Sequence, residues 1–208
     1  MRSNIIEEYK KSLRLTDEQR EILAGLLLGD GHLETLTNGK TYRLKVEHGI
    51  QQKDYVIWLY DKFKEWVPKP PRERIKYSLG KDRMTYGFTT YASAAFASFG
   101  NLFYPNKKKI IPLAIEKLLT RKALAIWFMD DGSWKSKYHR TYIIHAVGSK
   151  KDELMLMRKT MQRKFNIAIS LHKQYENWRV YIPTAEAEKF RNIIEPHIIP
   201  SMAYKLEG

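Results

Sequence analysis

Two Asp-Gly steps, Asp30-Gly31 and Asp131-Gly132, each close an apolar stretch, and they stand 101 residues apart in a chain of 208. The stretches are Leu23-Ala24-Gly25-Leu26-Leu27-Leu28-Gly29-Asp30-Gly31 and Leu124-Ala125-Ile126-Trp127-Phe128-Met129-Asp130-Asp131-Gly132. If each is a helix, its acid stands at the C-terminal end, where the macrodipole already places partial negative charge. The plain role for such a residue is a helix stop before a C′ glycine. Acid at both ends is a poor choice for stability and a sensible one for binding a cation. Asp131 matches Asp30 better than Asp130 does, because each directly precedes its glycine.

Other chemistries find no support in the residue pattern. None of the six histidines is spaced i, i+3 or i+4 from another, which argues against a helical zinc site. There is no cysteine, so disulfides and thiolate metal sites are excluded and a reducing compartment fits. Cytoplasm, mitochondrion and chloroplast all suit such a chain. No Walker or dinucleotide glycine pattern occurs, and Met155, Met157 and Met161 read as packing on one helix. No apolar run approaches the roughly 18 residues of a membrane span, and the first residues carry no secretion-signal pattern. Lys and Arg number 37 against 23 Asp and Glu, a net charge of +14. A folded domain this basic points to a polyanion, because each cation set against a phosphate releases condensed counterions.

The elements that must position these residues recur in one order. Thr16-Asp17-Glu18-Gln19 is a capping start for a helix through Ile22, Leu23, Leu26 and Leu27 to Asp30-Gly31. His32–His48 reads as a hairpin turning at Thr37-Asn38-Gly39-Lys40. Tyr55, Trp58, Leu59, Phe63 and Trp66 have helical spacing, strands are expected at Arg72–Leu79 and Arg83–Thr90, and a helix at Ala92–Phe103. The second half repeats this: a helix around Thr120–Asp130, two strand runs in Trp134–Ala146, a helix at Asp152–Lys164, strands at Ile167–Lys173 and Trp178–Ile182, and a helix at Ala185–Ile194. The expected fold is α/β (α+β), two αββαββα halves related by a pseudo-two-fold. The expected boundaries are 1–104 for the first half, 105–119 for a linker lying within Tyr104–Leu119, and 120–208 for the second half.

Both apolar stretches resemble the LAGLIDADG motif of homing endonucleases, the first matching at four leading positions and the final Asp-Gly. Asn101-Leu102-Phe103, Lys108-Lys109-Ile110-Ile111-Pro112, Trp127–Gly132 and Ile199-Pro200-Ser201-Met202-Ala203-Tyr204-Lys205-Leu206 are similar to the two-motif, single-chain branch typified by I-SceI. The resemblance implies a central pair of motif helices, flanked by saddle-shaped antiparallel sheets, and a monomer that cleaves both strands of one long asymmetric DNA site in intron or intein homing. Gly25 and Gly29 would let the helices approach closely, with Ile126 making that contact asymmetric. The Asp30 and Asp131 carboxylates with the Gly29 and Asp130 carbonyls would form an all-oxygen site for Mg²⁺, with Mn²⁺ able to substitute and Ca²⁺ binding without turnover. Lys109 and Lys205 match basic positions beside the metals, with Lys107 and Lys108 as neighbours to which the first assignment could slip.

Base and phosphate contacts are expected from the strands. Alternation puts Arg43, Lys45 and Glu47 on one face, and Arg72, Arg74, Lys76 and Ser78 on another. Arg83, Lys135, Lys137, Arg140, His172, Lys173 and Arg179 extend that set. Glu47 has two further readings, an organiser of active-site water or a solvent-facing strand acid. His145-Ala146-Val147-Gly148 offers no clear polar counterpart to it. The expected partner is double-stranded DNA, with no membrane; an RNA maturase acting on intron RNA and a non-catalytic DNA-binding regulator are the alternatives.

Overall fold

The Thr16 hydroxyl accepts from the Gln19 amide at 3.1 Å and the Gln19 side chain accepts from the Thr16 amide at 3.0 Å, a reciprocal cap that starts the first motif helix. In the computed structural model, residues 2–78, 80–136 and 138–207 are described. The elements in chain order are α1 (Arg2–Ser12), α2 (Asp17–Leu28), β1 (His32–Glu34), β2 (Arg43–Gly49), α3 (Lys53–Phe63), β3 (Arg72–Ser78), β4 (Lys81–Thr89) and α4 (Ala97–Phe103), then the short α5 (Ile115–Leu118). The second series is α6 (Arg121–Asp131), β5 (Gly132–Trp134), β6 (Tyr142–Ala146), α7 (Lys151–Phe165), β7 (Ser170–Gln174), β8 (Asn177–Ile182) and α8 (Thr184–Ile194). Helix, two strands, helix, two strands, helix therefore occurs twice, as the sequence predicts. Helix α1 has no counterpart in the sequence pattern.

The chain divides into two compact units, Met1–Arg20 with Asp30–Asn101, and Glu21–Gly29 with Leu102–Gly208. Most of α2 thus belongs with the second unit. Each unit holds one four-stranded antiparallel sheet, ordered β1-β2-β4-β3 in the first and β5-β6-β8-β7 in the second. The same strand order in both is the structural form of the sequence repeat.

In the first unit the inner face of β2, Leu44 and Val46, is buried with Tyr55, Leu59 and Phe63 of α3. In the second, Ile144, Val180 and Ile182 pack with Leu154, Met157 and Met161 of α7 and Phe190 of α8. The alternation of apolar and polar residues along β2 and β6 leaves one face of each sheet outward. Ile167 and Ile169 are buried but precede β7, because Asn166 ends α7 in the left-handed region with φ 54° and the chain must then turn. Among the described residues no helix is long and apolar enough to cross a membrane.

Candidate active site and nucleic-acid interface

Within the second unit, Glu21–Gly29 lies against α6 at very short range. A Cβ on Gly25 would stand 2.5 Å from the Ala123 carbonyl oxygen and 2.5 Å from Ile126 Cβ. Gly29 repeats this one turn later, where a Cβ would stand 2.5 Å from Asp130 Cβ. The small residues of the first motif therefore receive the larger ones of the second, and Ile126 fills the space opposite Gly25. Helix α6 is buried from Ala123 to Asp130, capped at its start by the Thr120 hydroxyl on the Ala123 amide at 3.1 Å. Gly132 after it is extended, with φ −82°. It is not a left-handed helix stop; its place requires a glycine because a Cβ would run into the Phe128 ring.

The two motif ends carry the same backbone arrangement. Lys109 Nζ donates to the Gly29 carbonyl, and Lys205 Nζ donates to the carbonyls of Met129 and, at 2.8 Å, Asp130. Each lysine thus meets the carbonyl that directly precedes a candidate acid, Asp30 or Asp131. Lys107 and Lys108 are exposed, and Lys107 has φ 59° in the turn that aims Lys109 inward. Lys205 is held by its neighbours: Met202 and Leu206 are buried, and the Leu206 carbonyl accepts from the Tyr142 hydroxyl at 3.2 Å. Asp130 is buried beside Gly29, whereas Asp131 is half-buried at the end of α6.

In the first unit the Asp30 side chain is half exposed, with an oxygen 3.6 Å from His48 Nδ1. His48 is buried, its Nδ1 lies 3.1 Å from Gln52 Oε1, and its ring packs against Tyr55. Sequence reasoning assigned His48 no role. The signal was the alternation that puts Arg43, Lys45 and Glu47 on the opposite face, since it sends His48 inward beside Leu44 and Val46.

Strand register sorts the remaining candidates. On the outward face of the first sheet, Lys45 pairs with Thr89, Glu47 with Gly87, Arg72 with Gly87, Arg74 with Thr85 and Lys76 with Arg83. This gathers Arg43, Lys45, Arg72, Arg74, Lys76 and Arg83 onto one side. Glu47 is not a solvent-facing acid: its side chain is 8% exposed and is engaged by Lys76, Arg74 and Thr85. Burial works to raise its carboxyl pKa, but these donors outweigh it and hold the group below its ordinary 4.5.

On the second sheet, His172 pairs with Arg179 and His145 with Arg179, so those three share a face. Lys173 pairs with Trp178 and alternates to the opposite side, which removes it from the His172 set. Lys135 is exposed and its ammonium lies 5.6 Å from the Tyr181 ring centre. Arg140 is exposed with φ 39° in the turn before β6, and Lys137 lies outside the described residues. His145 stands on the outward face of β6, opposite Arg179 of β8. The stretch His145-Ala146-Val147-Gly148 thus presents one polar side chain, His145, on that face. Its Nε2 lies 3.4 Å from the Ser133 hydroxyl, and burial, Arg179 and Lys205 together lower its pKa from 6.5.

Residues 20–190 of the chain match a known family model, described as the LAGLIDADG DNA endonuclease family. The chain belongs to that family. It is 35% identical over 212 residues to a probable intron-encoded endonuclease of Wickerhamomyces canadensis, covering 98% of this chain and 90% of the relative. It is 30% identical over 213 residues to a cytochrome b mRNA maturase of Debaryomyces hansenii, covering 99% and 78%. The homing endonuclease I-WcaI, solved bound to its DNA recognition sequence, superposes with a TM-score of 0.90 at 33% identity, over 97% of this chain and 91% of that one. As a LAGLIDADG chain the protein carries both motif copies, and both end in the lysine-braced carbonyls described above.

Proposed function

We propose that this chain is a site-specific homing endonuclease that hydrolyses both strands of a long asymmetric DNA target in the presence of a divalent cation, and that it acts as a monomer. The observation that carries the reading is the repeated bond of Lys109 to the Gly29 carbonyl and Lys205 to the Asp130 carbonyl. Each carbonyl adjoins an aspartate, so each motif end offers two oxygens of the kind that bind hard cations. The lysines fit this set, since a carbonyl already turned toward an ammonium is turned toward positive charge.

In this reading Asp30 and Asp131, with the Gly29 and Asp130 carbonyls, hold Mg²⁺; Mn²⁺ substitutes, and Ca²⁺ supports binding without turnover. The bound cation would supply activated water and neutralise charge at phosphorus. Lys109 and Lys205, each bonded to the carbonyl that precedes an acid, would offset negative charge developing at phosphorus. Arg72, Arg74, Lys76 and Arg83 on the first sheet, and Lys135, His172 and Arg179 on the second, supply phosphate and base contacts.

The test is incubation of the purified chain with a randomised duplex library in Mg²⁺, followed by sequencing of the ends. Recovery of one long site, lost on chelation, is the expected result. Uncut DNA under all metals would overturn the nuclease reading. The similarity to the Debaryomyces maturase favours one second reading, assistance to intron RNA folding, which predicts tight RNA binding and faster splicing without DNA cleavage.

A further inference from the structure

Four of the six described candidate cations on the first sheet's outward face are already committed to two carboxylates. Glu47 lies at the centre: Lys76 Nζ is 2.5 Å from Oε1, the Thr85 hydroxyl donates to Oε1 at 2.7 Å, and Arg74 Nη1 donates to Oε2 at 3.2 Å. Lys45 Nζ is 4.0 Å from Glu47 Oε2 and 3.9 Å from Glu34 Oε1. Glu34 holds Arg43 by two nitrogens, Nη2 at 2.7 Å and Nε at 2.9 Å from Oε2. Burial works against the charged form of both acids, yet their cationic partners keep both below the ordinary carboxylate range. Both are therefore ionised at neutral pH.

Among the described residues, no acid stands on the corresponding strand positions of the second sheet's outward face, where Ser133, Ile143, His145, Arg179, Tyr181 and His172 lie. The pairing is a property of the first sheet.

A phosphate approaching these cations must displace a carboxylate already hydrogen-bonded to Arg43, Arg74 or Lys76 or ion-paired with Lys45. Generic DNA offers only phosphates in exchange, and the trade of one oxyanion for another yields little. A matching sequence adds base-edge acceptors that Arg and Lys can meet in pairs, worth about 1–3 kcal/mol per good pair. The carboxylates thus subtract from non-cognate binding more than from cognate binding. We propose that Glu34 and Glu47 are specificity-determining residues, which hold Arg43, Lys45, Arg74 and Lys76 away from non-cognate DNA. This deepens the DNA-cleavage reading above and rests on it.

The test compares wild type, Glu34→Gln and Glu47→Gln in binding to a random-sequence duplex across a salt series, without divalent metal. Each variant should bind random DNA more tightly at low salt. The slope of log K against log salt should steepen by about 0.9 for each cation released. Their preference for the library-selected target over random DNA should fall. Slopes equal to wild type in both variants would overturn the proposal. So would cleavage at saturating DNA lost in Glu47→Gln with unchanged random-DNA binding, which would make Glu47 an organiser of the reaction instead. Glu34 is partly exposed, so its variant reports even if Glu47→Gln fails to fold in a thermal melt. Wild type that shows no salt-dependent DNA binding would instead remove the underlying DNA reading.

Discussion

Lys205 Nζ donates to the backbone carbonyl of Asp130 at 2.8 Å, one residue before the acid that closes the second motif. Lys109 bears the same relation to Gly29 and Asp30. Each lysine thus donates to a carbonyl at a motif end. Lys109→Ala and Lys205→Ala should therefore slow cleavage at saturating DNA by about 10²–10³, the usual loss for one preorganised donor. DNA affinity should change only by about one phosphate contact. Single-turnover rates beside equilibrium binding give the comparison, and equal losses in both would reduce the lysines to phosphate contacts.

The acids separate by burial. Asp30→Asn and Asp131→Asn should abolish cleavage of both strands while duplex binding in Ca²⁺ stays near wild type. Asp130 is buried against Gly29, so Asp130→Asn should show its effect in thermal melting and keep metal-dependent cleavage. A fully active Asp131→Asn beside an inactive Asp130→Asn would move the second ligand to Asp130.

The helices and strands were legible because their determinants are local. The cap at Thr16 and Gln19, the Asn38-Gly39 turn with both residues at positive φ, and the period of apolar residues in α3 all act over a few residues. The motif ends were legible for another reason: an acid at a helix C-terminus is locally unfavourable, so it stands out. What escaped was set by pairing across distance. Glu47 is surrounded by Arg74, Lys76 and Thr85, 27 to 38 residues away, and no local pattern announces that. His172 and Lys173 are both basic candidates in sequence, and only the β7–β8 pairing shows that they face opposite ways.

Gly25 offers a test of the helix contact that is independent of DNA. A methyl group there would meet the Ala123 carbonyl, a backbone atom that has no rotamer by which to yield, and Ile126 Cβ. Gly25→Ala should destabilise the chain by about 1–3 kcal/mol, in spite of alanine's better helix propensity. Urea melts followed by circular dichroism give the value. A stabilised variant would mean that the motif helices do not approach as closely as Gly25 and Ile126 indicate.

Acid stability follows from Glu34 and Glu47. Both have folded-state pKa values below the ordinary 4.5, for although burial raises them, Arg43 acts on one and Lys76, Thr85 and Arg74 on the other to lower them further. In the unfolded chain each takes up its proton near pH 4.5, and in the folded chain only at lower pH. The unfolded state thus binds more protons between those values, so the stabilisation is fully present above pH 4.5 and is lost as pH falls through the folded pKa. Melting temperature should accordingly drop on acidification from pH 5 toward 3. Glu47→Gln removes one titrating group, and its melting temperature should fall less over that interval than that of wild type, even if it starts lower at pH 7. A variant whose acid limb parallels the wild-type curve would show that Glu47 does not contribute to the proton linkage.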